Sequence, residues 1–88
     1  SGEESPDQYV VRGELGAEIQ RAILSLSEDQ RTVLVMIDVQ GYSYEETAEA
    51  TGASLGTVKS RLSRARTRCR EYLAQHRELL PSQYRHLE

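Results

Sequence analysis

The stretch TGASLGTVKSRLSRARTRCREYLAQ, residues 51–75, decides how the rest of the chain is read. Gly52 signals a turn, Ser54 is a favoured N-cap, and no proline follows until Pro81, so one long helix is predicted from about Leu55 to Gln75. Val58, Leu62, Ala65, Cys69 and Tyr72 or Leu73 recur at the spacing that lines one face of such a helix, and that face goes inward. At about 100° per residue, Gly56, Lys59, Ser60, Ser63, Arg64 and Thr67 fall on the opposite side. Arg61 and Arg68 then lie on one flank, Arg66 and Arg70 on the other.

The charges sharpen this picture. Residues 57–70 hold six Lys and Arg and no acid. Residues 1–56 hold three Arg against eleven Asp and Glu, net −8, and residues 57–88 hold eight basic against three acidic residues, net +5, within a chain of net charge −3. An acidic chain with one basic helix carries the footprint of something that meets phosphate, and the excess of Arg over Lys suits bidentate contacts. A charge run alone is more simply a solvated helix face. What precedes the helix separates the two meanings.

Immediately upstream, Ser43 and Glu46 form an S-x-x-E capping box and start a short helix from about Tyr44 to Thr51, ended by Gly52. Two helices joined by a tight turn containing glycine, the second basic outside and apolar inside, make the helix-turn-helix pattern. Ala48 is small enough to let the two helices approach, and Val58 and Leu62 plug the angle between them. Further back, Ser27 and Gln30 form an S-x-x-Q box with Glu28 and Asp29 in the first turn, where the helix dipole favours negative charge. The run TVLVMIDV that follows is β-branched and matches a buried strand by periodicity. The capping box and Gly41 as a C′ residue favour a central helix from about Glu28 to Gln40, touching its predecessor and the basic helix. From Glu14, the apolar positions Leu15, Ile19, Ala22, Ile23 and Leu26 predict an amphipathic helix of three turns. The fold class is therefore all-α, a four-helix domain over residues 14–76 containing a helix-turn-helix with a long basic recognition helix.

The ends read differently. Ser1-Gly2 has the look of a remnant of tag cleavage, with no signal peptide after it, and residues 1–13 read as that remnant and an interdomain linker. Residues 77–88, with Leu79, Leu80, Tyr84 and Leu87 around Pro81, form a C-terminal tail of open role.

With 88 residues there is room for one small domain and a binding module, hardly for an elaborate active site. No apolar run approaches a membrane span, and 38% hydrophobic residues argue against disorder. One cysteine excludes an internal disulfide. Glu45, Glu46 and Glu49 read as a solvated, dipole-favoured face rather than catalytic carboxylates, and His76 and His86 have no partners at metal-ligand spacing. No catalytic residue, metal or cofactor is expected.

The string GYSYEETAEATGASLGTVKSRLSRARTRCRE, preceded by LSEDQRTVL, closely resembles the promoter-binding C-terminal domain, region 4, of bacterial extracytoplasmic-function sigma factors. The resemblance runs from about Leu15 to Leu73. It is most specific at Gly41-Tyr42-Ser43-Tyr44-Glu45-Glu46 and at Gly56-Thr57-Val58-Lys59-Ser60-Arg61-Leu62 with Arg64-Ala65-Arg66. It implies a second helix of the motif docked in the major groove of the -35 promoter element. The family's base-facing positions fall on Lys59, Ser60, Ser63 and Arg64, the face that the helical wheel turns outward.

Arg64 or Lys59 can donate to guanine O6 and N7, and the two serines can bond either base type. Gly56 and Thr57 lie at the helix N-terminus, where backbone N–H groups and the dipole suit a phosphate. Tyr44, Arg61 and Arg66 are the further candidates for DNA backbone contacts. The resemblance also implies RNA polymerase core as a partner, through the β-subunit flap, an anti-sigma factor as a regulator, a cytoplasmic location, and a monomer on an asymmetric site.

Four residues depart from the family pattern. Ser27 stands where Pro is usual, and also starts a helix. Ile37 stands where many members carry an Arg that reaches the DNA backbone, so one phosphate contact is expected to be missing. Thr47 replaces Ile or Val, which either loosens the packing or hides a hydroxyl bonded to the preceding turn. Cys69 replaces Leu on the inner face and reads as a structural thiol, with no second cysteine to resolve an oxidised one. Two other functions fit the residues: the DNA-binding domain of a dimeric response regulator, and a protein-interaction module whose Arg helix meets an acidic partner.

Overall fold

Four helical segments make up residues 16–76, the part of the chain that the computed structural model describes. They are α1 (residues 16–24), α2 (Glu28–Leu34, continued as a π-helical turn over Val35–Val39), α3 (Tyr44–Thr51) and α4 (Leu55–Gln75). No strand occurs among the described residues, so the β-branched run of α2 is helical, as its cap predicts. The linker and tail read from the sequence lie outside the described residues.

Capping chemistry sets the boundaries. The Ser43 hydroxyl accepts from Glu46 N–H at 2.9 Å, and Glu46 Oε1 accepts from Ser43 N–H at 2.8 Å, which completes the capping box. Those bonds hold the Glu46 carboxyl below its ordinary range. Ser43→Ala removes the acceptor for an otherwise unmatched helix N–H, and is expected to cost about 1 kcal/mol in urea unfolding.

At Ser27 only half of the predicted box forms. Its hydroxyl accepts from Gln30 N–H at 3.4 Å, while Gln30 Oε1 is buried without a partner among the described residues. Beside this cap, Arg31 reaches back to donate to the Leu26 and Ile23 carbonyls at 2.9 and 3.4 Å.

The expected helix to Gln40 is not α-helical throughout. Gln40 N–H bonds to Val35 O at 2.9 Å, one residue further back than an α-helix allows, and Gly41 then leaves at φ 80°. Gly52, at φ 73°, makes the turn between α3 and α4. A Cβ there would meet nothing within 4 Å, so the cost of Gly52→Ala is conformational alone. About 1 kcal/mol of destabilisation is expected, with no change in the helices by circular dichroism.

The core is where α4 lies across α2 and α3. Leu26, Val33, Leu34, Val58, Leu62 and Ala65 are buried together, with Ile23, Ile37, Tyr44, Ala48, Ala53 and Cys69 packed around them. Val58, Leu62 and Ala65 are the inner positions that the periodicity assigns. Thr47 is fully buried, and its hydroxyl donates to Ser43 O at 2.9 Å, so of the two alternatives it hides a hydroxyl bonded to the preceding turn and leaves no polar atom stranded. Ile37 is half-buried and packs against the core cluster. Cys69 is half-buried against the same cluster, and burial pushes its thiol up.

Helix α1 departs from its expected face. Ala22 and Leu26 are buried and Ile23 is half-buried, but Ile19 is 40% exposed and Glu18 takes an inward position at 2% exposure. Glu18 Oε2 accepts from Arg21 Nη1 at 2.8 Å. The apolar stripe thus meets the core only near the helix's C-terminal end. Leu15 lies outside the described residues.

Candidate nucleic-acid interface

Helix α4 presents one face to the core and the other to solvent. Gly56, Lys59, Ser60, Ser63, Arg64 and Thr67 are all exposed, the six positions that a 3.6-residue period turns away from Val58, Leu62 and Ala65. Lys59 and Arg64 form no ion pair among the described residues. Their charges therefore stand on the outer face with no acid among the described residues paired to them. Ser60 donates its hydroxyl to Thr57 O at 3.1 Å, which leaves its oxygen lone pairs facing outward as acceptors.

The N-terminus of α4 is arranged differently from its expected form. Ser54 Oγ accepts from Thr57 N–H at 3.1 Å and donates to Thr57 Oγ1 at 2.9 Å. Thr57 is thus tied into the cap rather than free to meet an anion. Gly56, one residue earlier, keeps a first-turn N–H that the Ser54 cap does not use. A Cβ on Gly56 would meet nothing within 4 Å, so packing within the chain does not call for glycine there.

The flanks carry the largest differences from the wheel. Arg61 and Arg66, expected to face a DNA backbone, are both engaged by acids of the α2 segment. Arg61 Nη2 lies 3.5 Å from Asp29 Oδ2. Arg66 is held more firmly, with Nε donating to Asp38 Oδ2 at 2.9 Å and Nη2 donating to Asp38 Oδ1 at 2.7 Å. This pair of hydrogen bonds holds the Asp38 carboxyl below its ordinary range and pushes the Arg66 guanidinium further up. A lowered carboxyl keeps its charge at neutral pH, so the pair persists there and is lost only as acid protonates Asp38. Tyr44, Lys59, Ser63, Arg66 and Arg70 line an open groove of ≈ 420 Å³ floored by Leu62. The structure therefore brings Tyr44, from the start of α3, beside the basic helix.

Sequence reasoning missed Asp29 and Asp38. Their only signal in the sequence is acidic charge, at first-turn and mid-helix positions where a solvated role is the default.

A second, apolar surface lies along the α2 segment. Arg31, Thr32, Val35, Met36 and Gln40 border a groove of ≈ 310 Å³, and Val39 and Tyr42 nearby in the chain are 64% and 46% exposed. Among the described residues, no group of His, Cys, Asp and Glu could hold a metal ion, and no helix is long and apolar enough to cross a membrane.

A short capped helix, a glycine turn and a second helix with an exposed basic face define a domain of the helix-turn-helix class. The chain belongs to the sigma-70 region 4 family, whose model matches residues 16–69. It is 43% identical over 72 residues to the extracytoplasmic-function RNA polymerase sigma factor SigE of Mycolicibacterium smegmatis, covering 82% of this chain and 28% of that protein. It is 50% identical over 50 residues to the sigma factor SigM of Mycobacterium tuberculosis, covering 57% of this chain and 26% of that protein. The RNA polymerase sigma-H factor of Pseudomonas aeruginosa is 41% identical over 63 residues, 72% of this chain and 33% of that protein. The chain thus spans a third or less of the length of these three relatives.

Proposed function

We propose that the chain is the -35 element recognition domain of an extracytoplasmic-function sigma factor, and that it lays α4 in the major groove of promoter DNA. The observation that carries this reading is the outward face of α4: Lys59, Ser60, Ser63 and Arg64 are exposed together, on the part of the helix that the family match covers. Lys59 and Arg64 supply donors that suit guanine O6 and N7, and the serines supply short side chains that let the helix sit deep. Tyr44 and Gly56 face the DNA backbone and set the register without reading sequence, with Thr57 holding the cap beside them. Arg61 and Arg66 join them only where a phosphate outcompetes Asp29 or Asp38.

RNA polymerase core is the proposed protein partner. The β-subunit flap is assigned to apolar surface of the domain, and the groove at Val35 and Met36 with exposed Val39 and Tyr42 supplies such a surface. An anti-sigma factor is proposed as the regulator that covers the same apolar or basic faces. The same reading takes the protein as a cytoplasmic monomer without enzymatic activity of its own, with the domain spanning residues 14–76.

Selection of bound duplexes from a randomised pool at low salt tests the reading. A short asymmetric motif is the expected result. A palindrome would instead indicate a dimeric regulator, and no enrichment would favour a protein-interaction module.

A further inference from the structure

The bond between Asp38 and Arg66 has the geometry that a phosphate requires from an arginine. Nε and Nη2 donate in parallel to the two carboxylate oxygens, at 2.9 and 2.7 Å, so the guanidinium fork is already occupied by an anion. The residues are 28 apart in sequence and meet only through the fold. The pair is open to solvent, with the Arg66 side chain 44% and the Asp38 side chain 33% exposed, and Arg66 borders the groove shared with Tyr44, Lys59, Ser63 and Arg70. Asp38 sits within the π-helical turn, where one additional residue per turn alters the direction of the side chains from that of a regular α-helix. Turns of this kind recur at functional positions. The Asp29–Arg61 contact, a single approach of 3.5 Å with Asp29 71% exposed, is too loose to support the same argument.

We propose that Asp38 is an internal competitor for DNA phosphate: its carboxylate occupies the Arg66 fork and withholds that guanidinium from the backbone of a bound duplex. The inference rests on the DNA-binding function proposed above and adds Asp38 to it. An arginine neutralised in advance contributes little to the release of counterions from DNA, which is the source of sequence-independent affinity. Asp38 therefore lowers the attraction of α4 for any duplex, while Lys59 and Arg64 on the outer face keep their charge for base contacts.

The test is a titration of a labelled mixed-sequence duplex with the purified chain and its Asp38→Asn, Arg66→Gln and doubly substituted variants, at a series of salt concentrations. Circular dichroism checks that each variant is helical, and Asp38→Ser gives the same readout if the Asn variant does not fold. Asp38→Asn is expected to steepen the dependence of log affinity on log salt by about 0.9, the increment of one newly available phosphate contact. Its advantage over the unsubstituted chain then grows about 3.5-fold for each fourfold drop in salt. In the Arg66→Gln background the same change is expected to leave the slope unaltered.

An equal or shallower slope for Asp38→Asn overturns the proposal and leaves DNA binding intact. So does a gain that persists without Arg66, since that would reflect removal of a negative charge rather than release of a particular guanidinium. Failure of every protein to bind the duplex removes the DNA-binding function along with the inference.

Discussion

A chain carrying both Lys59→Ala and Arg64→Ala is expected to lose sequence-selective binding while remaining folded. Both side chains are exposed on α4 and neither is ion-paired among the described residues, so their removal leaves no buried group unmatched. Surface changes of this sort usually alter stability by less than about 0.5 kcal/mol. Removing a bidentate hydrogen-bonded pair between side chain and base is expected to cost about 1–3 kcal/mol of discrimination, on the order of ten- to a hundredfold in affinity for the selected motif. Affinity for unrelated duplexes is expected to fall less, because only the charge term is shared. Binding isotherms on the selected motif and on a scrambled duplex check this. Equal losses on both would move Lys59 and Arg64 from base reading to phosphate contact, and an unchanged affinity on both would remove them from the interface.

Leu62→Ala is the change with the largest expected effect on the fold. Leu62 is 2% exposed, is among the largest fully buried side chains, and stands at the junction of α4 with the core cluster of Leu26, Val33, Leu34, Val58 and Ala65. Truncating a buried leucine costs about 2–5 kcal/mol through lost transfer energy and the cavity left behind. A small domain has limited stability, within or below the roughly 5–15 kcal/mol of native proteins, so the loss is a large fraction of the total. Urea unfolding is expected to show a much lower midpoint or no cooperative transition at all. Leu62 adjoins Arg61 and Ser63 in sequence, and any loss of DNA affinity in this variant is expected to follow the folded fraction. An affinity loss in fully folded Leu62→Ala protein would instead mean that the helix had shifted on its support.

Much of this molecule is legible in short stretches of its sequence. The limits of α3 and α4 follow from Ser43, Glu46, Gly52 and Ser54, because a cap is a contact between residues three apart and needs no knowledge of the remaining chain. The inner and outer faces of α4 follow from its periodicity, since a helix this long samples every direction several times. The ends of the pattern were harder to read. In α1 the apolar stripe predicts Ile19 inside, yet Glu18 is buried and Ile19 exposed, because a short helix meets the core over a small part of its length. In α2 the cap at Ser27 was legible, but the widening into a π-helical turn at Val35–Val39 was not, because no residue type there announces it.

The candidate interface divides in the same way. Its outward, basic side could be derived from the sequence. The state of its flanking arginines could not. Arg61 and Arg66 carry the same charge on paper as Lys59 and Arg64, and only the crossing of the α2 segment over α4 brings Asp29 and Asp38 within reach of them. Local signals therefore determined which segments are helical, where they end and which side of α4 is basic, since each depends on neighbours a few residues away. The tertiary structure alone decided which of those basic groups are already neutralised, because that depends on the angle and register at which one helix docks on another.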